Sequence, residues 1–379
     1  NMELPRETMQ YIENHFEETI ELIKTLARIP APSNHEEKRA AFCRDWLLAQ
    51  GAKGVYIDEA LNVIYPVNCA FDNALVVFMA HSDVVFPDTE ELPLTQRDGR
   101  IYCPGVGDDT ANAAVLMMAA KYVTEKGLSP KNGGMLFVIN SGEEGLGNLK
   151  GSRRIMRDYG SRIKSFVSLD GFNCEIINTA VGSKRYRIEI LTEGGHSYSK
   201  FGNRNAIFYL ASLIDTLYTI KVPEGGKTTY NVGLIKGGTS VNTIAQQAEM
   251  LYEFRSDNRE SLQTMDRHLE AAIDFYRTKG ITVNINLIGD RPCGGHVDPA
   301  AQQALDNKTA TAVKKHFGRE ATFGSASTDC NIPLSMGIPS VAVSCYIGDG
   351  AHTREEYIEI DSLLPGLKMG FDLILDYYI

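Results

Sequence analysis

Between Thr8 and Ile29 apolar residues recur at helical spacing (Met9, Ile12, Phe16, Ile20, Leu22, Ile23, Leu26), and Pro30, Pro32 and Ser33 end the run. A second helix is predicted from about Glu36 to Gln50, where Gly51 stops it. Short apolar runs follow at Ala74–Ala80, Met135–Ile139, Ser165–Leu169 and Ser340–Val343, each ended by polar residues. An apolar helix, Ala111–Glu125, lies between the first two. This alternation predicts an α/β fold whose mixed sheet is mostly parallel and flanked by helices.

The middle of the chain reads differently. Strand Arg185–Leu191, a Gly-His loop, helix Ala206–Thr219 and strand Thr228–Lys236 are followed by strand Gln247–Ser256, helix Ser261–Lys279 and strand Ile281–Leu287. The order βαββαβ predicts a ferredoxin-like α+β insert with an antiparallel sheet. The expected division is a larger domain at 1–183 and 295–379, interrupted by a smaller one at 184–294. A length of 379 residues suits two domains.

Composition narrows the partners. The chain is 43% hydrophobic and 23% charged, an ordinary globular balance, and its net charge of −10 disfavours nucleic acid. No apolar run reaches the ~18 residues of a membrane span. No basic segment precedes an apolar one at the N-terminus, so no signal peptide is predicted. Seven cysteines, an odd number without CxxC spacing, read as reduced thiols in the cytoplasm.

The candidate chemistry stands at the ends of the apolar strands. Ala74–Ala80 runs into His81-Ser82-Asp83, Met135–Ile139 into Ser141-Gly142-Glu143-Glu144-Gly145, and Ser165–Leu169 into Asp170-Gly171. Ser340–Val343 leads to Gly350-Ala351-His352, and Gly107-Asp108-Asp109 precedes the apolar helix. Ligands bind outside the carboxyl ends of strands in open α/β sheets, so distant segments would deliver two imidazoles and several carboxylates to one rim. Those donors suit zinc, with manganese or cobalt as alternatives. Two ions ~3.5–4 Å apart can share a carboxylate and a water, which becomes a nucleophile near neutral pH. Asp83 is placed to fix the tautomer of a metal-bound His81. The neighbouring side chains of Glu143 and Glu144 point different ways, so one can ligate while the other serves as general base. Any one of these motifs alone reads more simply as solvated surface; their convergence in one chain carries the site.

The set HSD at 81–83, GVGDD at 105–109, GEEG at 142–145, LDG at 169–171 and AHTREEYI at 351–358 resembles a family of co-catalytic zinc hydrolases. That family includes peptidase T, aminoacylase, succinyl-diaminopimelate desuccinylase and glutamate carboxypeptidase. The resemblance extends to GGHSYSKFGNRNA at 194–206 and GGTSVNTI at 237–244, and so covers nearly the whole chain. It implies a zinc-exopeptidase-like catalytic domain in which Asp108 bridges two metal ions. His81 and Asp170 would complete one ion's ligands, and Glu144 and His352 the other's. Glu143 would be the general base and Asp83 the partner of His81. A cis peptide bond is implied at Asp108–Asp109. The insert would form a homodimer and present His196 to the partner's site as an oxyanion donor. Asn242 and Arg255 would contact substrate, although an ion pair with Glu253 or Asp257 is the simpler role for Arg255.

Three departures bear on substrate. Asp170 stands where deacylases and carboxypeptidases of the family have Glu, which resembles the peptidase T and dipeptidase branch. Thr110 stands where many relatives have Lys. The segment Ser325-Ala326-Ser327-Thr328-Asp329 lacks the Arg that peptidase T places before its GGTD segment. The expected activity is therefore metal-dependent hydrolysis of short peptides by an aminopeptidase, tripeptidase or dipeptidase. An N-acyl amino acid amidohydrolase or a carboxypeptidase on the same site is the alternative. A second metal-aminopeptidase family shares the ligand types but usually lacks an insert before the last His. A non-catalytic peptide-binding relative would have lost Glu143 or a ligand, and all are present.

Overall fold

A computed structural model describes residues 3–70 and 72–379. The chain forms two compact units, one running to Thr179 and resuming at His296–Ile379, the other Ala180–Gly295.

The first unit is built on an eight-stranded sheet. Its order is Tyr56–Ile57, Val63–Val67, Gly134–Asn140, Leu75–His81, Ile163–Leu169, Ser340–Val343, Ile176–Ala180 and Phe323–Ala326. The four central strands are parallel, as His81↔Asn140, Phe78↔Val167 and Val341↔Val167 register. They are almost wholly buried because helices cover both faces, which is why they read as unbroken apolar runs rather than alternating ones. Val63–Val67 pairs antiparallel with Gly134–Asn140, and Ile176–Ala180 antiparallel with Ser340–Val343. The architecture is thus a mixed α/β sheet, mostly parallel at its centre and flanked by helices.

Helix Asn112–Glu125 is Ala- and Met-rich and buried on nearly every face, as expected of a helix apolar all round. Tyr122 on it meets Tyr11 and Phe371, with ring centroids 4.8 and 5.6 Å away. Helix Leu363–Leu375 contributes Phe371 and closes that side of the core.

The single helix expected over Thr8–Ile29 is two, Arg6–Asn14 and Phe16–Arg28. His15 leaves helical geometry at φ −107° and ψ 14°, and its ring stacks on Tyr11 at 3.8 Å. A small antiparallel sheet also escapes the apolar pattern, because its strands are only two or three residues long: Thr95–Arg97, Arg100–Tyr102, Gly348–Asp349 and Tyr357–Glu359. It sets the hairpin whose connection carries His352.

The second unit has four antiparallel strands in the order Thr228–Gly237, Gln247–Ser256, Gly182–Leu191, Thr282–Arg291. Helices Ala206–Leu217 and Arg259–Thr278 supply Leu210, Leu213, Met265, Leu269 and Ile273 to a separate core with Ile188, Ile190, Met250 and Phe254. Asn205 and Asn258 cap these helices by accepting from backbone N–H groups of the first turn. Among the described residues no helix is long and apolar enough to cross a membrane, and the seven cysteines are unpaired.

Candidate metal centre

His81 is the last residue of its strand, and Asp170 directly follows Ile163–Leu169. Asp170 is fixed by its own backbone N–H, which donates to the Val343 carbonyl at 3.0 Å. Glu143 and Glu144 lie three and four residues beyond the end of Gly134–Asn140. Asp108 sits in the loop that leads into helix Asn112–Glu125, and the Asp108–Asp109 peptide is cis. His352 occupies the turn between Gly348–Asp349 and Tyr357–Glu359 at φ +67°.

These segments converge. One oxygen of Asp108 lies 3.0 Å from His81 Nε2, and the other lies 3.0 Å from His352 Nε2. His352 Nε2 is also 3.1 Å from Glu144 Oε1. His81 Nε2 is 3.7 Å from Glu143 Oε2 and 3.9 Å from Asp170 Oδ1. Ligands at ~2.0–2.1 Å around one tetrahedral ion stand roughly 3.3 Å apart, so these spacings suit a shared centre. The donor atoms of three groups lie within 4.8 Å of one another: His81, Asp108, Asp109, Asp170; His81, Glu143, Glu144; and Asp108, Glu144, His352. Asp108 and Glu144 each belong to a group with His352, and Asp108 joins it to the His81 group. Donor types and spacing therefore fit a divalent-metal centre, with Asp108 common to the His81 and His352 groups.

Electrostatics point the same way. Burial pushes Glu143 well above the usual carboxylate range, and neighbouring Glu144 adds to it. Burial and Asp108 push Glu144 up to about 8, and burial pushes Asp170 up to about 6. Asp108 is the exception. Burial opposes its charge, yet hydrogen bonds from His352 and His81 hold it well below the usual range. Hydrogen bonds to Asp108 and Glu144 outweigh burial and raise His352 to about 10. Burial works against charge on His81, but Asp109, Asp108 and Asp83 outweigh it and hold the ring well above its ordinary value. Carboxylates crowded beyond their wish to ionise, gathered beside two imidazoles, form a nest that favours positive charge.

The supporting residues explain the geometry. His81 Nδ1 faces the backbone carbonyl of Asp83 at 2.9 Å, which only a donor satisfies, leaving Nε2 to face the centre. The Asp83 carboxylate is farther from Nδ1, at 3.4 Å. It accepts from Ser33 Oγ (2.6 Å) and from the backbone N–H groups of Glu143 (3.1 Å) and Glu144 (3.0 Å). The tautomer role expected of the Asp83 side chain is thus taken chiefly by its carbonyl, while its carboxylate holds the glutamate loop. Asp109 accepts from His81 N at 2.9 Å and from Asn112 Nδ2 at 2.7 Å. Glu36 accepts from Gly142 N and Lys150 Nζ at 3.0 and 2.9 Å. Buried Arg39 donates to Ser82 O at 2.9 Å and Thr110 Oγ1 at 3.1 Å, tying together the loops of His81 and Asp108. Glu36 and Arg39 lie at the start of a helix and carry no sequence signal. Asp329, within the 325–329 segment noted for its missing Arg, is buried, and accepts from Asn140 Nδ2 at 2.8 Å.

The remaining candidates belong to the second unit. His196 is exposed and pairs with Thr243 in a two-residue ribbon, and its Nδ1 accepts from Tyr198 N at 3.3 Å. Ser197 N donates to Asn242 O at 2.9 Å, so the His196 and Asn242 loops are adjacent. Arg255 is paired with Glu253 at 3.1 Å, the simpler of the two roles expected for it.

Fold and donor set together define a metallopeptidase or amidohydrolase. The profile of peptidase family M20/M25/M40 matches residues 77–376, and the chain belongs to that family. The succinyl-diaminopimelate desuccinylase of Bordetella parapertussis is 23% identical over 312 residues, covering 77% of this chain and 80% of that one. The structure resembles aminopeptidase PepT from Bacillus cereus (TM-score 0.75, 21% identity, 95% and 98% of the two chains). It also resembles a tripeptidase from Staphylococcus aureus (TM-score 0.78, 21% identity, 95% and 97%). The two structural likenesses show a shared fold.

Proposed function

We propose that the protein is an exopeptidase of the family that hydrolyses short peptides, of aminopeptidase, tripeptidase or dipeptidase type. The observation that carries the reading is the placement of Asp108, with each carboxylate oxygen facing a different imidazole. In this reading Asp108, His81, Asp170, Glu144 and His352 would hold two divalent ions, zinc first among them, with Asp108 as the ligand common to both sets. His81 and Asp170 would serve one ion, and Glu144 and His352 the other. Such a pair, when bound, would supply Lewis acidity to the scissile carbonyl and lower the pKa of a nucleophilic water.

Glu143 takes the proton from the attacking water and returns it to the leaving amine. Its buried carboxylate stands 3.7 Å from His81 Nε2 and beside Glu144, close enough to the proposed ligands to take a proton from water there and return it. Asp83 keeps Glu143 and Glu144 in place through their backbone N–H groups. Through dimerisation of the insert at 184–294, His196 of a second copy donates to the tetrahedral oxyanion. Asn242 and Arg255 bind the substrate's polar end, Arg255 through its planar fork once it exchanges Glu253 for substrate.

The desuccinylase relative favours a second reading, an N-acyl amino acid amidohydrolase with the same residues; a carboxypeptidase is a third. One experiment separates them. Metal-stripped protein, reloaded with zinc or manganese, is assayed on dipeptides, tripeptides, N-blocked peptides and N-acetyl amino acids. Metal-dependent cleavage of free-amine peptides with blocked ones spared supports the exopeptidase. Cleavage of N-acyl compounds alone moves the function to amidohydrolase, and loss of blocked peptides from their C-termini moves it to carboxypeptidase.

A further inference from the structure

Glu356 is the second of two adjacent acids after His352. Glu355 is exposed, whereas Glu356 is 2% exposed. Its carboxylate meets no lysine or arginine within ion-pair distance among the described residues. It is spent instead on one loop. Oε1 accepts from Gly105 N at 3.2 Å, and Oε2 accepts from Gly107 N at 2.8 Å and Asp108 N at 2.9 Å. The Glu356 carbonyl takes a fourth bond, from Cys103 N at 3.2 Å. A buried carboxylate is costly unless its lone pairs are filled, and here backbone donors fill them.

The loop is shaped for this grip. Gly105 adopts φ +79°, and a Cβ there would collide with Val84. A Cβ on Gly107 would stand 2.7 Å from the Tyr346 hydroxyl. Glycines let three N–H groups turn toward one carboxylate while the backbone lies close against its neighbours.

Glu356 and His352 share a tight connection, closed by Thr353 N donating to Gly350 O at 2.9 Å. Immediately after Glu356, Tyr357 pairs with Tyr102 in the small sheet. The carboxylate therefore joins the turn that carries His352 to the loop that carries Asp108. We propose that Glu356 is a positioning residue that presets Asp108 against His352, so that the two proposed metal sites are assembled as one unit before either is filled. This rests on the two-metal reading above. Such supporting contacts are typically worth 10–100-fold in metal affinity.

The test is zinc binding by apo-protein, followed by competition with a chromophoric chelator, for wild type and Glu356→Gln. A glutamine can accept at its oxygen, but its NH₂ group confronts backbone donors. Both zinc affinities are expected to fall, by about 10–100-fold, while the melting temperature of the apo-protein stays within a few degrees. A merely structural role would instead lower the apo melting temperature and leave the folded variant's zinc affinity intact. Folded Glu356→Gln with both affinities within twofold of wild type overturns the proposal. If that variant does not fold, Glu356→Asp keeps the charge but is too short to hold all three donors. It is expected to bind zinc severalfold more weakly, and unchanged affinity again overturns the proposal. A wild type that takes up no zinc retires the two-metal reading along with it.

Discussion

Asp83→Asn tests how the glutamate loop is held. The Asp83 carboxylate is fully buried, and although burial favours the neutral acid, the facing His81 ring and the Ser33 hydroxyl keep its pKa below the ordinary carboxylate value. Its three donors are Ser33 Oγ, Glu143 N and Glu144 N, at 2.6, 3.1 and 3.0 Å. The two backbone donors reach different oxygens, Oδ1 and Oδ2. Asparagine is nearly isosteric but has one acceptor oxygen, so its NH₂ must face one of those N–H groups. One buried donor loses its partner, at about 1–3 kcal/mol, and the remaining bonds lose charge assistance. A total of about 2–4 kcal/mol follows. If the loop relieves that by moving Glu143 away from the attacking water, kcat/KM falls by about 30- to 900-fold. The loss should appear in kcat more than KM, because Glu143 acts on the proton in flight rather than on bound substrate. The assay is steady-state hydrolysis of the best substrate in the panel, at matched zinc content measured on the same samples. Wild-type zinc content with kcat/KM within threefold of wild type would refute the assignment of Asp83 as the support of the base.

Other outcomes follow from the same geometry. Glu143→Ala, with zinc uptake retained, should lower kcat by about 10²–10⁴-fold; full activity at normal metal content excludes Glu143 as the base. Arg39→Met removes the donors to Ile29 O, Ser82 O, Thr110 Oγ1 and Ala27 O. With these buried acceptors left open, unfolding in urea should show a loss of about 3 kcal/mol or more. At Asp372, burial favours the neutral acid, but hydrogen bonding to His316 at 2.7 Å and attraction to Lys315 hold its pKa below the ordinary value. A depressed folded pKa gives stability that is present above the unfolded value of about 3.9 and is lost as pH falls through the folded one. Wild-type melting temperature should therefore drop more steeply below about pH 4 than that of Asp372→Asn, and parallel curves would contradict the pairing.

Strand-end residues were the legible part of this site. His81, Glu143, Glu144 and Asp170 each follow an apolar run that is buried on both faces, so the run itself marks where the backbone reaches the rim. The outer strands were harder to read: Tyr56–Ile57, at the edge, is only two residues long, and its buried neighbour Val63–Val67 contains Pro66, which a strand seldom tolerates. The break at His15 left no trace in the apolar spacing, because both helices present the same buried side across it. The least legible residues were the buried polar ones. Apolar periodicity reports which side chains leave water, and it is blind to carboxylates whose burial is made possible by backbone N–H groups. Glu36, at the entry to a helix, and Glu356, beside exposed Glu355, look like solvated acids in the sequence. Their partners, Gly142 and the Gly105–Asp108 loop, lie 106 and about 250 positions away along the chain. The glycines in those partner segments were the available signal. In GEEG and GVGDD they free the backbone to offer N–H groups to a carboxylate that local sequence cannot name. A motif of this kind thus has two halves, the residues that face the reaction and the distant acids that hold their backbone, and only the first half is contiguous enough to be read directly.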